Sequence, residues 1–181
     1  MSEFGVRVDD RTVRFERLLP GPIEKVWSFL VDSDKRAQWF TSGALPAKPG
    51  EPFEMRFHHA DYSPHKAPPP PGYEKVDREG HTMTSILLAL EPPHRLAFSF
   101  GKSTEPSEYT EVDIRLTPQA DGKIKLTLTH SRLPDRDYAL NISGGWHCHL
   151  AMLQHKAEGT VPPSIWDVWR QVDGAYDKRY A

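Results

Sequence analysis

The chain of 181 residues has one cysteine, Cys148. That excludes an internal disulfide framework and every multi-cysteine zinc pattern, and it suits a reducing compartment, so the cytoplasm is the expected location. No apolar run approaches the roughly 18 residues that a membrane span takes. The opening MSEFGVRVDDRTVRFER has no basic region followed by an apolar core. Charge of one sign is scarce as well: 23 basic and 25 acidic residues are spread along the chain, and the formal net charge is -2. No field gathers nucleic acid or anionic lipid, so neither is an expected partner. Chemical motifs are missing too. There is no G-x-S-x-G elbow, no glycine-rich phosphate loop, no G-x-G-x-x-G and no H-E-x-x-H, which leaves ordinary hydrolase, nucleotide and zinc-protease chemistry without a foothold and implies no cofactor.

What is present is a clear change of hydrophobic period along one domain, expected to span residues 1–181. RTVRFERLL alternates, with Val13, Phe15 and Arg17 on one side, and reads as a first strand. PGPIEKVWSFLV then places Ile23, Val26, Trp27, Leu30 and Val31 at helical spacing, and DSDKRAQWF offers Asp32 or Ser33 as the cap of a second short helix. FEMRF alternates again. TMTSILLAL, HRLAFSF, EYTEVDIRLTP and GKIKLTLTHSRL follow as four strands with hairpin-length connections, so neighbours pair antiparallel. Val112, Ile114 and Leu116 share a covered face, as do Ile124, Leu126 and Leu128. From Asn141 to Glu158 a stripe of Ile142, Trp146, Leu150, Leu153 and Ala157 predicts a long helix, and an extra helix is expected over 164–180 after Pro162 and Pro163. One long helix laid on one curved antiparallel sheet is an α+β architecture.

These segments carry a resemblance. ERLLPGPIEKVWSFLVDSDKRAQWF, LEPPHRLAFSF, VDIRLTP with KIKLTLTHSRL, and GGWHCHLAMLQHKAEG resemble, in this order, the SRPBCC superfamily of START, polyketide-cyclase and birch-pollen-allergen-like proteins. Within it they are most similar to the bacterial branch related to the C-terminal domain of the activator of heat-shock-protein-90 ATPase. The resemblance runs from about Arg11 to the end of the chain. It implies a helix-grip fold, in which the curved sheet wraps the C-terminal helix over a cavity for an apolar or amphipathic small molecule. It carries over no catalytic residues.

The candidate residues follow from position. The segment 58–81, HHADYSPHKAPPPPGYEKVDREGH, holds four of the nine histidines and four consecutive prolines. His58, His59, Asp61 and His65 match no rigid ligand spacing, so no metal is expected. The segment reads as a partly stiff excursion between two strands of one sheet, a lid or a homodimer contact. On the long helix His149 lies within the apolar stripe while His147 points to the flank, and Cys148 is a packed residue that neither neighbour activates. His130 continues the inward face of its strand to the strand end, where a cavity would open. The residues expected to line a ligand are Trp39, Phe57, His59, Phe98, His130, Trp146, His149 and Leu153.

The function expected first is therefore binding of an apolar or amphipathic small molecule in an internal cavity. A cofactor-independent cyclase or hydratase would need His130 and His149 to converge on one substrate as acid and base. A chaperone-interacting module, suggested by the resemblance to the activator domain, is the third expectation; against it, the chain lacks the separate N-terminal domain of the full activator.

Overall fold

The computed structural model describes residues 3–181. Alternation dictates the strands: β1 (Val6–Asp9), β2 (Thr12–Pro20), β3 (Thr41–Ser42), β4 (Pro52–Phe57), β5 (His81–Glu91), β6 (Arg95–Phe100), β7 (Thr110–Pro118) and β8 (Lys123–Ser131). They form one eight-stranded antiparallel sheet in the order β1-β2-β8-β7-β6-β5-β4-β3. The register sets Ile114 opposite Leu128 and Val112 opposite His130, so the covered faces of β7 and β8 coincide. The sheet is curled and grips a 23-residue helix, α4 (Arg136–Glu158), which is the helix-grip arrangement. β1 escapes sequence reading because it is an edge strand whose Val6 and Val8 are each about half exposed, 49% and 50%.

Two short helices follow β2. Helix α1 (Ile23–Val31) buries Val26, Phe29 and Leu30, while the expected Ile23, Trp27 and Val31 are only partly covered. The Asp32 carboxylate caps α2 (Ser33–Arg36) by accepting from the amides of Asp34 and Lys35. The excursion between β4 and β5 contains a 3-10 turn at His59–Asp61 and α3 (Glu74–Glu79), and it returns through Gly80 at φ 67, where a Cβ would lie 2.3 Å from the Phe57 carbonyl oxygen.

Two helical expectations are corrected. Helix α4 begins at Arg136, not Asn141, because the Asp135 carboxylate accepts from the amide of Tyr138 at 2.8 Å and caps it five residues earlier. The helix expected over 164–180 is two, α5 (Ile165–Val172) and α6 (Ala175–Arg179), broken at Gly174, which takes φ 70. Because α5 and α6 cover α4 on the side away from the sheet, its buried set is broader than one stripe and includes Ser143, His147 and Cys148. Among the described residues no helix is long and apolar enough to cross a membrane.

Candidate functional site

The turn after α2 sets the inner site. Arg36 is buried, and its guanidinium donates to the carbonyls of Leu30 at 3.1 Å, Val31 at 3.3 Å and Gly43. That clamp fixes Trp39, whose indole N–H donates to the Phe29 carbonyl at 2.9 Å, and turns Phe40 inward. The Phe40 ring lies 4.9 Å from Trp146, 5.1 Å from Phe57, 5.2 Å from His149 and 6.2 Å from Phe98, and stacks on Trp39 at 5.4 Å. The predicted lining residues are thus brought together, but around one ring that fills the space between them. Leu153 is fully buried in the same core. Phe40 is not among the lining residues expected from sequence; its place at the centre depends on the Arg36 clamp and has no local signature.

His130 is at no rim. It is fully buried, its Nδ1 accepts from Trp146 Nε1 at 2.9 Å, and its Nε2 is 2.6 Å from Thr110 Oγ1. An indole only donates, so Nδ1 carries the lone pair and Nε2 the proton. Nε2 therefore donates to Thr110, which passes a hydrogen bond to the Phe100 carbonyl at 2.7 Å. Burial takes the His130 pKa down to about 3, so the ring stays neutral. With both nitrogens committed and Trp146 between the two rings, His130 and His149 form no acid-base pair.

His149 donates from Nδ1 to the Trp39 carbonyl at 2.8 Å, which leaves Nε2 unprotonated, and burial lowers its pKa to about 4. His59 stands 5.6 Å from it, ring centre to ring centre, and its Nδ1 is covered without a partner. Both border a compartment of about 80 Å³ between α4, α5 and the excursion. The excursion is tied down there. Ser63 Oγ donates to the Pro162 carbonyl at 2.7 Å, Trp166 Nε1 donates to Asp77 at 2.7 Å, and Tyr62 donates to the Phe40 carbonyl. His147, expected at the flank, is buried against Tyr176, whose hydroxyl is 3.0 Å from its Nδ1, because α6 covers that side. Cys148 is buried, and loss of solvation raises its thiol to about 12, so it is no nucleophile. Among the described residues no group of three or more His, Cys, Asp or Glu is placed to hold a metal ion.

A larger opening lies where β5, β6 and β7 end beside the first turns of α4. It is an open groove of about 1130 Å³ with a mostly polar lining, in which Met83, Phe100, Tyr109, Tyr138 and Ile142 form an apolar patch among charged residues such as Arg11, Lys102, Glu105, Glu108 and Arg132. None of the eight lining residues expected from sequence borders it. The signal was the argument that a cavity opens at strand ends, applied to His130 when Phe100 and Tyr109 flank the same rim. Tyr138 was missed with the first turn of α4, and Ile142, one helical turn on, was read as part of the apolar stripe and not as lining. Asn141 borders both the groove and the small compartment.

The comparisons agree with this fold. A solution structure of a protein encoded by gene BPP1335 of Bordetella parapertussis is 42% identical, with a TM-score of 0.80 over 97% of this chain and 89% of that one. CalU16 from Micromonospora echinospora, 19% identical, matches with a TM-score of 0.65 over 94% of this chain and 88% of its own. DynU16, a protein of the dynemicin biosynthetic locus, is 22% identical with a TM-score of 0.64, over 85% of this chain and 49% of that one. At those last two identities the likeness is one of fold. No curated protein matches. The family model described as activator of Hsp90 ATPase homolog 1-like protein matches residues 20–158, from the end of β2 to the end of α4, and the chain therefore belongs to that family.

Proposed function

We propose that the protein binds an apolar or amphipathic small molecule in the groove between the ends of β5–β7 and the first turns of α4. The observation that carries this reading is the groove itself, about 1130 Å³, in whose otherwise polar lining Met83, Phe100, Tyr109, Tyr138 and Ile142 form an apolar patch. Sites for drug-sized ligands span roughly 300–1,000 Å³ and combine apolar and polar groups. The interior beneath the helix is closed by the ring of Phe40, which moves the expected ligand position from the core to the mouth. Mixed charges in the lining, Arg11, Lys102 and Arg132 with Glu105 and Glu108, favour a ligand with an apolar body over one selected by net charge.

The reading is tested with 1-anilinonaphthalene-8-sulfonate followed by fluorescence. Saturable one-to-one binding is expected at a pH and temperature where the protein is fully folded, and Ile142→Asp should weaken it by about tenfold, the scale of losing one apolar side-chain contact. Equal affinity in wild type and in correctly folded Ile142→Asp and Met83→Asp variants rejects the groove as the site.

A further inference from the structure

Helix α4 carries two consecutive glycines, Gly144 and Gly145, in its interior. Each destabilises a helix by about 1 kcal/mol relative to alanine. Crowding does not explain them, since a Cβ built at either position meets nothing within 4 Å. Gly145 lies one turn before His149 and borders the same small compartment. Any side chain there would project into that space, so the glycine keeps it open.

The compartment is walled by parts of the chain outside the central sheet. His59 and Tyr73 come from the excursion, and Trp166 and Trp169 come from α5, beyond the segment matched to the family. It faces a different side of α4 from Trp146, whose indole reaches the sheet at His130. Two imidazoles meet in it with complementary roles. His149 has its proton on Nδ1, so Nε2 offers a lone pair, and it meets no hydrogen-bonding group among the described residues. His59 has no hydrogen bond at either ring nitrogen among those residues, and only its Nδ1 is sealed. A sealed, unpaired N–H is costlier than a sealed lone pair, which puts the proton of His59 on Nε2. One ring donates and the other accepts, with ring centres 5.6 Å apart.

A hydroxyl fits that pair, accepting from His59 and donating to His149. Burial holds both rings neutral, with pKa values near 3 and 4, so a carboxylate would find no counter-charge and an ammonium only one lone pair. We propose that the compartment in front of Gly145 binds the hydroxyl end of an uncharged ligand, an alcohol or a phenol whose body lies against Trp166. Asn141 borders both this compartment and the groove, and in that respect the inference rests on the function proposed above.

The test titrates the intact protein with phenol, toluene and benzoate while the amide signals of Gly145 and His149 are followed by NMR. Phenol is expected to shift both signals saturably, about tenfold more tightly than toluene or benzoate. His149→Phe should erase the preference over toluene. Gly145→Leu should abolish the phenol shifts and keep dye binding in the groove; Gly145→Ala, which favours the helix, should raise Tm and weaken phenol several-fold. Equal affinity for phenol and toluene, or no shift because the space holds water only, overturns the proposal. Loss of dye binding with phenol binding intact would reject the groove and leave the compartment standing.

Discussion

His130 and His149 carry the same ring, and their partners give them different chemistry. His130 spends both nitrogens on Trp146 and Thr110, so it behaves as a shaped polar plug in the core. His149 spends one, on the Trp39 carbonyl, and keeps a lone pair. Both are held neutral by burial, with folded pKa values of about 3 and about 4 against 6.5 for the unfolded ring. Below pH 6.5 the unfolded chain therefore takes up protons that the folded chain refuses. The stability these rings confer is complete above pH 6.5 and is lost as pH falls toward their folded values. Each ring adds about 1.4 kcal/mol per pH unit in that window. Urea unfolding from pH 7 to pH 5 should show this slope. His130→Gln, which still accepts from Trp146 and donates to Thr110, should cost about 1–2 kcal/mol at pH 7 and reduce the slope by one ring's share. An unchanged slope would contradict a neutral buried His130.

At the scale of elements, α4 is stabilised by what covers it more than by its own composition. Its Asp135 cap and a left-handed Gly159 define the ends, while Gly144 and Gly145 weaken the middle. A Cβ added at Gly144 meets nothing within 4 Å, and the residue does not border the histidine compartment, so Gly144→Ala should raise stability by about 1 kcal/mol in urea unfolding. The strands were legible because alternation is a local pattern: Phe53, Met55 and Phe57 on β4, and Ile124, Leu126 and Leu128 on β8, are all buried as their spacing requires. The start of α4 was not, because Tyr138 and Leu140 in its first turns are only half-buried and blur the helical period. Nor was the break in the last helix, although the Asp173-Gly174 pair is the kind of residue pair that permits a left-handed turn.

At the scale of the whole molecule, the last segment completes the core. Ile165, Trp166, Val168, Val172, Tyr176 and Tyr180 are all buried, and Tyr176 also accepts the amide hydrogen bond of Gly5 from the other end of the chain. At roughly 1.5–3 kcal/mol for each large side chain, their burial rivals the 5–15 kcal/mol that holds a typical domain together. Deleting residues 159–181 should therefore abolish the cooperative urea transition and the near-ultraviolet circular dichroism. A truncated chain that still unfolds cooperatively would make α5 and α6 an appendage.

The sequence by itself determined the order and type of the main elements and the face each presents, because periods of two and 3.6 residues are written in neighbouring side chains. It also placed His149, Phe57 and Trp146 on inward-facing positions. Only the tertiary structure decided what those positions meet. Phe40 fills the expected cavity because Arg36 clamps its turn, His130 is bonded across strand and helix, and α6 turns an expected flank histidine into a buried one. The partners of His130, His147 and His149 lie 16 to 110 residues away along the chain, and local periodicity carries no information about them.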